Sequence, residues 1–476
     1  MFVFVPGAQI TAGRVLPAGS AEKAFGEDGR FGICRAYRSE VVLTGLPLEG
    51  SRGCEQELNY RMRWFSGQLP AAWLMEWFQS GFAARERSWE ACLLSFCLKT
   101  PGLIRFTRLD FLDLFSLKDH KSRSYKKSEL EENMMDESRK GRFLEAARCC
   151  NDGRPPVWLM RQAGRYLPEY QEIKEKHSFV EMCSDPDLAF EVSMQPYRRF
   201  GLDAVVVFYD ILFLAEAMGA PLEYNPGPKF LEPLRTAEAI NSLADPDPAG
   251  HTAPVLETLA RLRSELPPEV AVLGFAGAPF TMAAYLVEGN FHRSGEWIKR
   301  LMNEAPDLLH ALLEKLARAT GSYLGAQLQA GADTVQLFDT WAGLLGRDDY
   351  RRFAQPYQEA VFDSIADSGA PSILYVNGGS HLLEEMSSSG AGVLSIDWRT
   401  SLREAREFLG KETGLQGNLD PSCLFADPAE VSRKANEVLD EMAGDRGFIF
   451  NLGHGVLPGT PVESVRALVE AVQSRG

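Results

Sequence analysis

The sequence lacks the features that mark membrane-spanning, secreted and dinucleotide-binding proteins. No apolar run approaches the ~18 residues that a membrane-spanning helix needs. The first residues, MFVFVPGAQ, include no basic segment and are interrupted by Pro6, so they make a poor secretory signal. No Gly-x-Gly-x-x-Gly follows an early strand-like run, which leaves dinucleotide binding without support.

Cysteine pairs and positive charge are also scarce. The eight cysteines include no Cys-x-x-Cys, and adjacent Cys149 and Cys150 cannot readily bridge each other, so we expect reduced thiols, no metal site and a cytoplasmic protein. The net charge of −15 argues against nucleic acid as a partner, and we expect no membrane partner. Residues 1–133 carry 18 Lys and Arg against 16 Asp and Glu, which leaves 32 against 49 for residues 134–476. An anion site in so acidic a body must depend on a few well-placed arginines.

The first 133 residues show no sustained hydrophobic period. A polar, charged run from Lys118 to Glu132 is typical of a linker, and the stretch around Trp64, Trp73 and Trp77 fits a short amphipathic helix. We interpret this region as an extension outside the main domain, residues 134–476. A misassigned start, with Met134 or Met135 as the real initiator, is one explanation, and a targeting or docking module is the other.

The main domain alternates strand-like and helical patterns. Eight short apolar runs are separated by amphipathic stretches, which predicts a parallel sheet and favours a (β/α)8 TIM-type barrel in the α/β class over an open doubly wound sheet. The eight runs are Val157–Met160, Ala204–Phe208, Val270–Phe275, Thr334–Phe338, Ser372–Val376, Gly392–Ile396, Leu415–Asn418 and Phe448–Asn451. The clearest helical stretches are Pro186–Phe200, Ala305–Ala330, Asp348–Ser368, Leu402–Leu409 and Pro428–Met442.

Polar residues and glycines follow nearly every strand-like run, where a barrel carries its chemistry. The groups that follow the eight runs are Arg161-Gln162, Tyr209-Asp210, Gly277-Ala278-Pro279, Asp339-Thr340-Trp341, Asn377-Gly378-Gly379, Asp397-Trp398, Asp420-Pro421 and Gly453-His454-Gly455. This concentration supports the barrel and predicts a site at its carboxyl-terminal edge.

The segment after the first run fits an anion site. Arg161 and Arg165 stand four residues apart with Ala163 and Gly164 between them, so two planar guanidiniums can each take a carboxylate, and the glycine lets the backbone approach a ligand. The alternative is a pair of surface arginines bonded to acidic neighbours. The residues alone leave both interpretations open.

Asp210 is the strongest catalytic candidate from the residues alone. It lies between the apolar runs AVVVF and ILFLA, where an unpartnered carboxylate is costly unless a cation or an N–H group meets it. A buried cap or an arginine partner is the structural alternative. A tyrosine after an apolar helix start, such as Tyr285, is more often a core residue. His454 is more informative, because the glycines on either side indicate a special backbone conformation, but the residue alone leaves its function open.

The segment Pro156–Tyr170, PVWLMRQAGRYLPEY, resembles the signature of the uroporphyrinogen decarboxylase family of tetrapyrrole and haem biosynthesis. Residues 201–219, GLDAVVVFYDILFLAEAMG, are similar to the family segment that carries its substrate-binding aspartate. Further similar blocks are GFAGAPFTMAAY at 274–285, LFDTWAG at 337–343, LQGNLDP at 415–421 and NLGHG at 451–455. The resemblance covers about residues 137–474.

The resemblance implies decarboxylation of the four acetate side chains of uroporphyrinogen III to coproporphyrinogen III, without a cofactor, by a homodimer. It implies that Asp210 accepts hydrogen bonds from the pyrrole N–H groups and stabilises a cationic intermediate. Arg161 and Arg165 would bind the carboxylates of the substrate, and we expect Arg161 to help deliver the proton that the pyrrole ring carbon receives. The family commonly has Ser where this chain has Tyr209, and the extra bulk could narrow the pocket mouth. The substrate-binding residues that the resemblance carries over are Arg161, Gln162, Ala163, Gly164, Arg165, Asp210, Tyr285, Thr340, His454 and Lys174.

Two alternatives belong to other functional classes. Corrinoid or thiol methyltransferases of the same superfamily bind zinc, but here the corresponding segment reads Tyr375-Val376-Asn377, and His381 and Cys423 cannot complete a tetrahedral site. A non-catalytic porphyrin-binding protein would require a broken catalytic set, and Asp210 with both arginines is intact.

Overall fold

The computed structural model describes residues 141–475, apart from 225–226, 247–249, 251 and 291–294, together with the backbone of four short strands nearer the start. The chain divides into two compact units, Met1–Glu132 and Asn133–Gly476. The predicted linker Lys118–Glu132 and the tryptophans of the expected amphipathic helix lie outside the described residues.

The first unit contains a four-stranded antiparallel sheet that the sequence reading did not predict. Its strands are β1 (Phe2–Phe4), β2 (Gly32–Tyr37), β3 (Glu40–Gly45) and β4 (Leu58–Arg63), paired in chain order. Apolar and polar residues alternate along Leu58–Arg63, and Glu40–Gly45 contains the β-branched pair Val41-Val42, so both segments suit a strand. Their shortness hides this pattern among the surrounding glycines and prolines.

The second unit is built around seven parallel strands, each hydrogen-bonded to the next one along the chain, consistent with a TIM-type fold. Each of them coincides with one of the predicted runs, within a few residues at either end. They are β5 (Ala204–Val206), β8 (Ala271–Gly277), β9 (Thr334–Asp339), β10 (Ser372–Val376), β11 (Val393–Ser395), β12 (Gly414–Leu419) and β13 (Phe448–Leu452), with a separate hairpin of β6 (Leu222–Tyr224) and β7 (Pro228–Phe230).

The first predicted run, Val157–Met160, forms only an isolated parallel bridge to Phe450. The Phe450 amide donates to the carbonyl of Pro156 (2.9 Å), and the Asp203 amide donates to the carbonyl of Val157 (3.0 Å), so the segment reaches both β13 and the start of β5. Side chains accept two of the amides in this segment: Asp203 accepts from Val157, and Asn451 accepts from Met160.

Helices connect and cover the parallel strands. Helix Pro186–Phe200 begins after Asp185, whose carboxylate accepts from the amides of Asp187 and Leu188, and ends at Gly201 in the left-handed region. The other α-helices are Arg142–Ala147, Pro168–Lys174, Phe179–Ser184, Phe213–Ala217, Ala237–Ser242, Ala253–Glu265, Pro279–Glu288, Glu296–Glu304, Pro306–Gln329, Arg347–Phe353, Gln355–Ile365, Leu383–Ser387, Leu402–Leu409, Pro428–Glu441 and Val462–Gln473. Short 3-10 turns occupy Ala342–Leu344, Ala366–Ser368, Ser380–Leu382 and Pro421–Phe425.

The predicted helix Asp348–Ser368 is divided at Ala354 into two α-helices. Pro356 lies in the first turn of the second helix, where its missing amide is harmless. In an unbroken helix its ring would clash with the carbonyl four residues earlier, so the helix ends and restarts. The last predicted residues, Ala366–Ser368, form a 3-10 turn instead.

Three arginine–aspartate pairs lie at the amino-terminal edge of the sheet. Asp203 and Asp333 immediately precede β5 and β9, and Asp445 lies three residues before β13. Each accepts a backbone amide, from Val157 (2.8 Å), Val272 (2.9 Å) and Gly447 (2.8 Å) respectively. Their cations are Arg154 (2.8 Å), Arg263 (2.6 Å) and Arg406 (2.5 Å). Asp203 and Asp333 thereby join neighbouring strand segments at this edge, whereas Asp445 bonds the amide of its own segment just before β13.

Among the described helices, none combines the length and the apolar character needed to cross a membrane.

Candidate active site

The loop after the first run is held in place by Gln162. Its buried side chain accepts from the Leu159 amide (3.2 Å) and donates to the carbonyl of Ala204 (3.2 Å), while its own carbonyl accepts from the Tyr166 hydroxyl (2.8 Å). Arg161, with φ of 60°, takes the left-handed conformation that residues other than glycine seldom adopt. The loop is therefore fixed from below and presents Arg161 and Arg165 as exposed side chains.

The Arg161 side chain lies across Gly455. A Cβ on Gly455 would overlap the Cδ of Arg161 and lie 2.6 Å from its Cγ and 3.0 Å from its Cβ, so glycine is needed here for close approach. The amide of Val456 donates to the carbonyl of Met160 (2.9 Å), which joins the two strand-end loops. Arg161 is thus positioned by the loop that carries His454.

Asp210 lies just beyond β5 and is partly exposed. Burial raises the pKa of its carboxyl, and the Leu212 amide (2.8 Å), the Tyr224 hydroxyl and the charge of Arg161 lower that pKa in part. Among the described residues Asp210 forms no ion pair. A carboxylate so placed is ready to accept N–H groups from a ligand.

Tyr209 points into the core rather than toward the mouth of the site. Its ring stacks on Phe275 at 4.1 Å between centroids and meets Tyr323 edge-on, and its hydroxyl accepts from Gln327 (3.2 Å). The residue is buried. The expectation that Tyr209 could narrow the pocket mouth is therefore wrong, because its bulk is absorbed between the sheet and helix Pro306–Gln329.

His454 follows β13 and is neutral at physiological pH. Burial lowers the pKa of His454 to about 4, assisted by the charges of Arg161 and Arg399 and opposed by Asp397. The Gly455 amide donates to its Nδ1 (2.6 Å), so the proton of the neutral ring lies on Nε2. His454 is therefore a neutral hydrogen-bond donor.

Tyr285 lies in helix Pro279–Glu288, which follows β8, and Thr340 directly follows β9. Burial raises the pKa of Tyr285, the Trp341 side chain lowers it, and Asp210 and Arg161 act on the same hydroxyl; its ring meets Trp341 edge-on at 6.1 Å. Thr340 directly follows Asp339, a buried carboxylate that accepts from the amide (3.1 Å) and hydroxyl (2.6 Å) of Thr281. Burial raises the pKa of Asp339 to about 6.

The predicted site residues fall into two groups. The charge of Arg161 influences the pKa of Asp210, Tyr285 and His454, so the structure brings these four residues together. The others lie apart or support the loop. Gln162 is buried, Ala163 packs on the core, Gly164 lies in the loop, Thr340 adjoins Asp339, Arg165 is exposed, and Lys174 is exposed in the last turn of helix Pro168–Lys174.

The sequence reading missed several residues of the cluster. Tyr224 reaches Asp210 from the hairpin β6–β7, and no local pattern marks a tyrosine in a three-residue strand. Tyr375 meets His454 edge-on at 6.2 Å, although its position within β10 gives no functional signal. Asp397 is among the strand-end residues that the sequence marks, although no role was assigned to it. Arg399, two residues further on, was missed, and its place beside this strand end was the signal that could have identified it.

Within the described ranges, no group of three or more metal-ligating side chains is found.

Residues 138–475 match the family model described as Uroporphyrinogen decarboxylase (URO-D). The chain is 46% identical over 336 residues to the uroporphyrinogen decarboxylase of Myxococcus xanthus, covering 70% of this chain and 96% of that protein. It is 44% identical over 331 residues to that of Trichlorobacter lovleyi, covering 70% and 97%.

A solved structure shares the fold. A methyltransferase from Methanosarcina mazei superposes with a TM-score of 0.60 over 70% of this chain and 97% of its own, at 24% sequence identity. A likeness at this identity concerns the fold alone.

Proposed function

The chain belongs to the uroporphyrinogen decarboxylase family, and on that premise we propose that its strand-end site converts the four acetate side chains of uroporphyrinogen III to methyl groups, giving coproporphyrinogen III and carbon dioxide. The observation that carries the residue assignment is the cluster of Asp210, Arg161, Tyr285 and His454 around one partly exposed carboxylate.

Asp210 accepts hydrogen bonds from the pyrrole N–H groups and holds the macrocycle. Protonation of a pyrrole carbon creates an iminium cation, and the bond between the acetate methylene and its carboxylate then breaks, so that its electron pair moves into the ring. A second proton converts the exocyclic methylene to a methyl group, and loss of the first proton from the ring carbon restores the aromatic pyrrole, so each decarboxylation consumes one proton. A fixed carboxylate stabilises this cation more than the neutral ground state, and its withdrawal from bulk water strengthens the effect.

Arg161 and Arg165 bind acetate and propionate carboxylates, and Arg161 also helps to deliver the ring proton. Arg161 is the nearer candidate because its charge already acts on Asp210, Tyr285 and His454. Replacement Arg161→Lys keeps the charge but loses the planar fork. If Arg161→Lys keeps full kcat and only raises KM, the proton-delivery role is wrong.

The remaining residues bind or shape. His454 donates from Nε2 to a carboxylate, and Tyr285 and Thr340 offer hydroxyls. Lys174, exposed at the end of helix Pro168–Lys174, supplies a further cation for a carboxylate. Gln162, Ala163 and Gly164 act through the backbone geometry that they give to the arginine loop, as the buried amide of Gln162 suggests.

The experiment is anaerobic turnover of uroporphyrinogen III by the full chain, scored by the number of carboxylates that each product retains. We expect Asp210→Asn to lose about 10²- to 10³-fold in kcat, as for removal of one preorganised electrostatic group. The matched control is Asp420→Asn. Asp420 is a strand-end aspartate that accepts from the Ser422 amide (2.8 Å), and asparagine can accept the same hydrogen bond. Retained turnover in Asp210→Asn contradicts the assignment, and binding without turnover in the parent chain favours the porphyrin-carrier alternative.

The finer architecture is part of the same proposal. The hydrogen bonds of residues 156–158 to both β13 and the start of β5 support an eight-unit barrel closed by that segment. Residues 134–476 form this domain, and residues 1–133 are an extension. The protein is a homodimer that associates through its barrel, and it works in the cytoplasm. Equal activity of residues 134–476 and the full chain, with a dimeric mass by sedimentation for both, tests these statements.

A further inference from the structure

Arg399 lies two residues beyond Asp397 at the carboxyl-terminal end of β11. Its side chain is 47% exposed, whereas the Asp397 side chain is 0% exposed. The guanidinium lies over the Trp398 ring at 4.4 Å from the centroid. One end of Arg399 is therefore anchored in the fold while the rest faces outward.

Asp397 holds this arginine in one orientation. Its Oδ2 accepts from Nη1 of Arg399 (2.7 Å) and from the Gly378 amide, and its Oδ1 accepts from the Arg399 amide (2.9 Å). Nη1 also lies 3.5 Å from Oδ1 of Asn377. Nε and Nη2 have no further partner within the described part of the chain. A guanidinium carries five N–H donors, so most of its hydrogen-bonding capacity is still available.

The position of Arg399 is continuous with the candidate active site. A Cβ on Gly453 would lie 2.7 Å from the Trp398 amide nitrogen and 3.0 Å from Cα of Asp397, so the ends of β11 and β13 touch. His454 is the next residue. The charges of Arg399 and Arg161 both act on His454 and on Tyr375.

We propose that Arg399 is a further substrate-contacting residue, which binds one carboxylate of the porphyrinogen beside His454 through the outward edge of its guanidinium. The inference rests on the proposed function. A substrate with eight carboxylates meets a domain with a net charge of −17 from Lys, Arg, Asp and Glu, so each outward cation at this edge matters. The bond to Asp397 fixes the fork in advance, which lowers the ordering cost of binding.

The experiment measures KM and kcat for uroporphyrinogen III under anaerobic conditions in the full-length protein. Arg399→Met keeps an unbranched stem over Trp398 and removes the charge, and Arg399→Lys keeps the charge without the fork. Arg403→Met is the matched control, because Arg403 is an exposed arginine on the following helix, Leu402–Leu409.

We expect KM to rise about 10- to 100-fold in Arg399→Met, the usual effect of losing a hydrogen bond to a charged group, with kcat within about threefold. Arg399→Lys should recover part of this loss, and Arg403→Met should stay within about twofold of the parent chain.

Three results would overturn the inference. A KM within about twofold of the parent in Arg399→Met, beside normal turnover by the parent, makes the Arg399–Asp397 pair purely structural. Failure of both Arg399 variants to fold does the same. An inactive parent chain instead defeats the proposed function, and this inference with it.

Discussion

The two edges of the parallel sheet use charge in opposite ways. At the amino-terminal edge Asp203, Asp333 and Asp445 each meet an arginine and a backbone amide. At the carboxyl-terminal edge Asp210 and Arg161 form no ion pair with any described residue. The first edge satisfies these charges internally. The second pairs Asp397 with Arg399 but leaves Asp210 and Arg161 for a ligand.

This difference follows from what each edge must do. Buried ion pairs add little net stability over an apolar pair, but losing one partner is costly, so paired residues preserve the arrangement of the strands. Catalytic groups in TIM-type folds lie at the carboxyl-terminal ends of strands, and residues at the other end serve stability. Unneutralised charge at the amino-terminal edge would cost stability without benefit.

The largest expected effect comes from removing one aspartate at each edge and comparing what each variant loses. Asp333→Ala leaves Arg263 without its counter-charge and the Val272 amide without its acceptor, so the free energy of unfolding should fall by about 3–5 kcal/mol with kcat unchanged. Asp210→Ala should instead abolish turnover and leave the urea midpoint unchanged or higher. Denaturation and turnover of both variants measure this. The comparison fails if both variants lose mainly the same property.

Asp339 sharpens the comparison because it lies at the carboxyl-terminal edge but is internally satisfied. Its oxygens accept from the amide and hydroxyl of Thr281 and from Gln358 (2.7 Å), and the Gln358 oxygen accepts from the Tyr350 hydroxyl (2.7 Å). Burial raises the pKa of Asp339 to about 6 from its ordinary 3.8. The folded state therefore holds this proton more tightly than the unfolded state does.

The stability contribution of Asp339 is present at low pH and lost as pH rises from about 4 to about 6. Asp339→Asn has no proton to lose there, so the stability of the parent relative to the variant should fall across that window by up to about 3 kcal/mol. Urea unfolding between pH 4.5 and 7.5 measures it. Asp427→Asn, an exposed helix cap, is the control. A constant difference across the range would contradict the role of Asp339.

Periodicity and composition predicted the parts of this molecule that depend on local sequence. Helix Pro186–Phe200 has the bounds predicted from its amphipathic pattern, and the structure shows Asp185 and Gly201 capping its two ends. Seven strands followed from apolar runs, since strands buried on both faces are apolar throughout. The division at Ala354 was missed because periodicity continues across it.

Contacts between distant segments could not be predicted in this way. Asp339 and Asp397 both follow apolar runs, yet one is locked into Thr281 and Gln358 and the other anchors Arg399. Only the fold decides which strand-end carboxylate is satisfied. Tyr209 and Asp210 are neighbours in the chain, but one is a core residue and the other faces the site.

Gly455→Ala tests whether contact with Gly455, instead of an ion pair, holds the Arg161 side chain in place. The added methyl group would meet three carbons of that side chain, so Arg161 must move, while the fold loses little. We expect KM to rise about tenfold or more, since a displacement of about 1 Å in a positioning group can cost up to 10²-fold in rate or binding. The control is Gly325→Ala in helix Pro306–Gln329, where a Cβ meets nothing within 4 Å and should stabilise slightly. An unchanged KM would mean that Arg161 is not held by Gly455.

The smallest expected effect is an absent titration at His454. Because burial lowers the pKa of His454 to about 4, the ring stays neutral between pH 5.5 and 7.5, and KM should not vary in that range through this residue. The folded pKa lies below the ordinary 6.5, so the unfolded chain takes up the proton first, and stability falls as pH drops from about 6.5 toward 4. Ring proton resonances of His454 measured against pH test the neutral form. His454→Gln keeps a terminal N–H near the Nε2 position and should change KM by less than about fivefold. A His454 titration near 6.5 would contradict the neutral ring. His454 would then add a positive charge to the carboxyl-terminal edge when substrate binds, instead of acting as a neutral hydrogen-bond donor.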